Sequence, residues 1–110
     1  RVVGIDIDPQ ALIASQDNAN RNEVGDQIEL YLPEHQPNLQ ADVVLANILA
    51  GPLRELKDVI TAYCKVGGKL VLSGILDSQA QEINDLYSQE FVMEPIEIDG
   101  EWARVSGVKK

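Results

Sequence analysis

The sequence predicts an α/β fold, a mostly parallel sheet closed at one edge by an antiparallel hairpin. Three observations carry that expectation. Short apolar runs alternate with segments of helical period, which implies parallel strands joined by right-handed crossovers. The stretch Asp42-Val43-Val44-Leu45-Ala46 contains a continuous apolar run, as a strand buried on both faces would. Asp99-Gly100 separates two further strand-like runs, a strong local signal for a hairpin. The element order is therefore β-α-β-β-α-β-α-β-β.

Residues 1–6 (RVVGID) read as strand, with no cap, loop or polar leader before them. Folded domains seldom begin flush with a buried strand, so the chain is expected to be the downstream part of a longer protein. Asp8 and Pro9 open a helix over 9–22. The carboxylate can accept the free amide hydrogens of the first turn, and proline suits the first helical position. Gly25 lies shortly beyond its end. Residues 27–32 form a second strand, and a polar, proline-punctuated loop over 33–40 leads to the central strand.

That central strand ends in a turn whose first polar side chain is Asn47, and a helix follows from Pro52 to about Cys64. Leu53, Leu56, Ile60 and Tyr63 recur at helical spacing and are expected to face the sheet. Gly67-Gly68 closes this unit, and residues 69–76 read as another buried strand. Ser78 and Gln81 have the spacing of a capping box for a last helix over 78–90, with Ala80, Ile83 and Tyr87 on one face. Residues 91–98 and 101–109 are the hairpin strands, and Pro95 marks the first as an edge strand.

The chain has 110 residues, 45% hydrophobic and 25% charged, the balance of one small globular domain or of part of a larger one. No apolar run approaches the ~20 residues of a membrane span, and no signal peptide is visible, so no membrane partner is expected. The formal net charge is −9, from 18 acidic and 9 basic residues. That argues against direct nucleic-acid binding, which needs basic side chains to displace counterions. The single cysteine, Cys64, excludes an internal disulfide and fits a reducing cytoplasm. It ends an apolar helical stripe and is expected to be a buried packing thiol.

In an open α/β sheet, ligands sit at the carboxyl ends of strands. Asp6 ends the first strand, where an acidic side chain typically accepts hydrogen bonds from ribose hydroxyls. Asn47 ends the central one, and its amide can both accept and donate. The competing reading of Asn47 is a turn residue that only caps local backbone. Asp6 and Asp8 could pair on a metal, but Asp8 is better explained as the helix cap, and no metal site is expected. The lone His35 lies in the polar loop and reads as a solvated residue. Gly4, Gly67, Gly68 and Gly74 make no G-x-G-x-x-G pattern.

Gly4-Ile5-Asp6-Ile7-Asp8-Pro9-Gln10-Ala11, then Asp17-Asn18-Ala19, Asn22, and Ala46-Asn47-Ile48-Leu49-Ala50-Gly51-Pro52-Leu53 resemble class I S-adenosylmethionine-dependent methyltransferases. The resemblance is closest to the bacterial ribosomal protein L-eleven methyltransferase (PrmA) family. Ser73-Gly74-Ile75-Leu76 and Gly100-Glu101-Trp102 extend it over almost the whole chain. It implies a Rossmann-like methyltransferase sheet, S-adenosylmethionine as cofactor, and a large-subunit ribosomal protein as substrate, methylated on lysine and N-terminal amines in the cytoplasm. By the family pattern Asp6 and Ile7 bind the cofactor. Asn47 contacts it too and is the catalytic candidate, beside the transferred methyl. Related enzymes carry Asn-Pro-Pro-Tyr at this turn; Ile48 and Leu49 here suit a flexible aliphatic amine better than a planar amide.

The resemblance further implies that residues 1–110 are a single partial domain, the C-terminal portion of the catalytic domain. The family's first strand and glycine-rich loop are then lacking, and that strand would lie between the ones ending at Asp6 and Asn47. The isolated chain is accordingly expected to be inactive. Two free strand edges would then close by pairing directly or by strand exchange in a dimer. Two alternatives stand beside this reading. One is a fragment of an NAD-dependent oxidoreductase, since Asp6 would serve an NAD ribose equally well. The other is a non-catalytic Rossmann-like interaction module.

Overall fold

The structure, a computed structural model, describes residues 2–6 and 8–110 and falls into two compact units, Arg1–Asn38 and Leu39–Lys110. The first contains β1 (Val2–Ile5), α1 (Pro9–Arg21), β2 (Ile28–Tyr31) and a 3-10 turn, Pro33–His35. β1 and β2 pair in parallel, with Val2 opposite Ile28 and Ile5 opposite Tyr31. Helix α1 starts as its sequence dictates. Pro9 opens it, and the Asp8 carboxylate accepts the Gln10 N–H at 3.0 Å. At its far end the Asn22 side chain donates to the Asn18 carbonyl at 2.7 Å. The expected first strand also included Arg1, which lies outside the described residues.

The second unit contains β3 (Ala41–Asn47), α2 (Ala50–Glu55), α3 (Lys57–Tyr63), β4 (Cys64–Leu76) and α4 (Asp77–Tyr87). It ends with β5 (Phe91–Met93), β6 (Glu97–Asp99) and β7 (Trp102–Lys109). Its sheet order is β3-β4-β7-β5, with β6 also paired to β7. The β3–β4 ladder is parallel, whereas β4, β5 and β6 all run antiparallel to β7. This five-stranded sheet is therefore mixed rather than mostly parallel, because β7 inserts between β4 and its own hairpin partners and forms antiparallel ladders on both edges. The hairpin turn is the expected one: Gly100 takes φ +64° and sets Asp99 opposite Trp102. Its first strand is split around Pro95, which has no N–H to give to a ladder, into β5 and β6.

The helices and the sheet of this second unit enclose one core. Leu53 from α2, Ile60 from α3, Leu70, Leu72 and Ile75 from β4, and Ala80, Ile83 and Tyr87 from α4 are buried together with Phe91 and Val105. The Tyr87 hydroxyl donates to the Leu53 carbonyl at 2.8 Å, in the last turn of α2 where carbonyls run out of helical partners. Cys64 is fully buried, and its thiol is pushed up chiefly by that burial, as a packing thiol should be.

Several local expectations are corrected. β3 is not covered on both faces: Val43 and Leu45 are 55% and 73% exposed. Within its sheet β3 is an edge strand, paired with β4. The helix expected from Pro52 begins at Ala50, because a proline anywhere in the first turn removes only an N–H that lacks an intrahelical acceptor. It breaks at Leu56 (φ −97°, ψ 12°) before α3 continues, and Leu56 is consequently exposed rather than turned to the sheet. The last helix begins at Asp77, so Ser78 lies inside its first turn. The side chain that reaches back is Gln79, accepting the Leu76 N–H at 3.0 Å, while Gln81 donates to Asp85. Among the described residues β1 ladders with β2 and β3 with β4.

Candidate functional site

In the first unit, Asp6 directly follows β1 at its carboxyl end. Its N–H donates to the Tyr31 carbonyl at 3.2 Å, which carries the β1–β2 ladder one residue further. Its carboxylate accepts the Asp8 N–H at 2.9 Å. That hydrogen bond holds an exposed carboxylate, a group that when ionised only accepts hydrogen bonds and so fits a sugar hydroxyl pair. The Asp8 carboxylate is engaged as the helix cap. Among the described residues no three His, Cys, Asp or Glu side chains gather as a metal site would require. His35 is exposed at the end of the 3-10 turn. Ile7, the other expected cofactor contact in this segment, lies outside the described residues.

In the second unit, Asn47 is the last residue of β3 and stands opposite Ser73 across the parallel ladder. It opens on a shallow groove of about 570 Å³. Ser73 and Gly74 of β4 line the groove beside Asn47, and the β6–β7 hairpin contributes Glu97, Asp99, Trp102 and Arg104. Trp102 is the single tryptophan of the chain and is 50% exposed. Arg104 pairs with Glu97, which leaves the Asp99 carboxylate as the excess charge among these three. The groove thus combines an amide, an indole and a net negative wall. Such a lining suits an amine on an aliphatic stem and disfavours an anion.

Asp6 and Asn47 belong to different units, each at the carboxyl end of its own strand. The groove also holds residues that the sequence did not single out. Ser73, Gly74 and Trp102 fall in stretches that carry the family resemblance, yet nothing in their spacing marks them as neighbours of Asn47. Two weak signals do exist: a glycine inside a strand often marks close backbone approach, and a lone tryptophan directly after a hairpin turn has little core to fill.

A family profile described as ribosomal protein L11 methyltransferase (PrmA) matches residues 1–110. A ribosomal protein L11 methyltransferase from Pseudoalteromonas atlantica is 82% identical over all 110 residues, and one from Alteromonas mediterranea is 64% identical. The chain spans 38% of the length of each of these curated relatives. Among solved structures, the ribosomal protein L11 methylase from Lactobacillus delbrueckii subsp. bulgaricus matches with a TM-score of 0.83 at 22% identity, over 98% of this chain and 57% of that one. An RNA methyltransferase from Salinibacter ruber, solved in complex with S-adenosyl-L-homocysteine, matches with a TM-score of 0.73 at 16% identity, over 98% of this chain and 65% of that one. These two likenesses show the fold, an α/β methyltransferase-like architecture with a mixed sheet.

Proposed function

This chain belongs to the ribosomal protein L11 methyltransferase (PrmA) family, and on that premise we propose that it carries part of the site of an S-adenosylmethionine-dependent protein methyltransferase. Its substrate is ribosomal protein L11, methylated on lysine side chains and the α-amino terminus, and that substrate places the reaction in the cytoplasm. Asp6, held by the Asp8 N–H, accepts hydrogen bonds from the ribose hydroxyls of the cofactor, and Ile7, next in sequence, is the other proposed cofactor contact of this segment. The sulfonium supplies an already activated methyl group, so the protein must align the acceptor, exclude water and keep the amine neutral.

Within the groove the Asn47 amide oxygen accepts an N–H of the incoming amine and so aims its lone pair. Trp102 covers the aliphatic stem and dries the site, which lowers an amine pKa in the required direction. The Asp99 carboxylate, the charge left over once Arg104 pairs with Glu97, draws a cationic lysine to the groove mouth before it loses its proton. No side chain is assigned as general base.

The observation that carries this reading is the exposed Asn47 amide at the end of β3, opening on a groove that suits an amine, in a chain matched to the family over its full length. It is tested on the complete polypeptide, with ribosomal protein L11 and labelled S-adenosylmethionine. Asn47→Ala is expected to lower kcat about 100-fold, the scale of a misplaced acceptor, and, since Asn47 is also a proposed cofactor contact, to weaken cofactor binding by calorimetric titration less than Asp6→Ala does. Asp6→Ala is expected to show the opposite split, weak cofactor binding with L11 affinity retained. Wild-type turnover in Asn47→Ala would overturn the assignment.

A further inference from the structure

Gly74 sits at an irregularity of the antiparallel β4–β7 ladder, directly after the last pair of the parallel β3–β4 ladder. Along β4 and β7, Leu72 pairs with Val105, and the next pair is Ile75 with Ala103. Two residues of β4, Ser73 and Gly74, therefore oppose Arg104 alone, which is a β-bulge. Gly74 takes φ +83°, a conformation that side chains disfavour. On the other edge of β4, the pairing of Asn47 with Ser73 brings the end of β3 against that glycine. A Cβ on Gly74 would lie 2.6 Å from Asn47 Oδ1, 3.0 Å from the Ile48 carbonyl oxygen and 3.2 Å from the Ile48 nitrogen.

Gly67 provides an internal contrast. It lies in the same strand with nearly the same φ, +80°, yet a Cβ there would meet nothing within 4 Å. Both glycines answer a demand of the backbone. Only Gly74 also answers a demand of space, and the atom that needs the space is the amide oxygen of the candidate acceptor-binding residue.

We propose that Gly74 is a positioning residue for Asn47: the bulge lays a bare Cα against the amide and thereby sets the orientation in which it meets the acceptor amine. This inference rests on the role given to Asn47 above. The terminal torsion of an asparagine is broad and roughly two-fold, so an exposed amide at a strand end needs something to restrict it. Ile48 is main chain at this contact and cannot yield as a side-chain tip would. A methyl group on residue 74 therefore swings the Asn47 amide away. The effect belongs chiefly to turnover, because Asp6 is untouched.

The test compares Gly74→Ala, Gly67→Ala, Asn47→Ala and the Gly74→Ala/Asn47→Ala pair in the complete polypeptide, by L11 methylation and thermal melting. Gly67→Ala is expected to lower the melting temperature and leave kcat unchanged. Gly74→Ala is expected to lower kcat by about 10- to 100-fold, the scale of an acceptor misplaced by about an ångström, with a smaller change in KM for S-adenosylmethionine than Asp6→Ala causes. In the Asn47→Ala background, Gly74→Ala should cost no further turnover, as coupled residues in one unit do. Losses that multiply in the double variant, or normal kcat in folded Gly74→Ala, overturn this inference alone. Wild-type turnover in Asn47→Ala overturns the role of Asn47 and this inference with it. If Gly74→Ala fails to fold, Gly74→Asn, whose side chain tolerates positive φ, takes its place with the same expected loss.

Discussion

The units Arg1–Asn38 and Leu39–Lys110 are held together by different means. The second encloses a cluster of thirteen buried apolar residues drawn from α2, α3, β4, α4, β5 and β7. In the first, Ala19 is the one buried apolar side chain among the described residues, while Val2, Ile5, Ile13 and Val24 are exposed. The first unit thus stands on local devices, a capped helix and a four-residue parallel ladder. A helix cap is worth about 1 kcal/mol, whereas each fully buried Leu or Ile contributes about 1.5–3 kcal/mol. Stability should therefore be concentrated in the second unit. The Asn47–Gly74 contact lies on that stable body, and Asp6 lies on the other.

The largest expected effect follows from that contrast. Leu72 is fully buried at the centre of β4, and Leu72→Ala should cost about 2–5 kcal/mol in urea unfolding, the transfer term plus the cavity. Native-state hydrogen exchange should show the same asymmetry without mutation. Amides of β4 and β7 should exchange orders of magnitude more slowly than those of β1 and β2. Equal protection in both units would break the comparison.

Tyr87 gives the next effect and adds a pH dependence. Burial first, and the Asp58 charge second, push its phenol up to about 12. The unfolded chain ionises near the ordinary value of about 10. A folded pKa above the unfolded one means that this contribution is complete below about pH 10 and is lost as pH rises from there towards 12. Tyr87→Phe should lower stability at neutral pH by about 1–2 kcal/mol, through the lost hydrogen bond to the Leu53 carbonyl. It should also flatten the alkaline fall in stability. An unchanged alkaline slope in the variant would assign that fall to other groups.

The features that could be read from sequence are those whose physics is local. Asp8-Pro9 fixes a helix start within three residues, Asp99-Gly100 fixes a turn within four, and Ala80, Ile83 and Tyr87 mark a helix face by spacing alone. What could not be read depends on partners distant in sequence. An apolar run looks the same whether one face or both are covered, so the exposure of Val43 and Leu45 was not visible in it. The mixed sheet follows from which strands flank β7, and no single segment encodes that order. Asn47 could be found because a polar residue ending an apolar strand stands out. Gly74 could not, because its meaning comes from the register of β3 on β4 and of β4 on β7.

The smallest expected effect is the sharpest probe of the first unit. Ile13 lies on α1 and is 55% exposed, so Ile13→Ala removes little covered surface, and alanine is the better helix former. The two changes nearly cancel, and the variant should stay within about 0.5 kcal/mol of the parent, as exposed substitutions do. The same truncation at Ile83, fully buried on α4, should cost several times more. A loss above about 1 kcal/mol at Ile13 would carry the signature of a buried side chain. The apolar residues of the first unit would then be covered in solution, and its stability would rest on packing as the second unit's does. Near-neutrality would keep the contrast intact: a unit held by its caps and ladder, beside one held by its core.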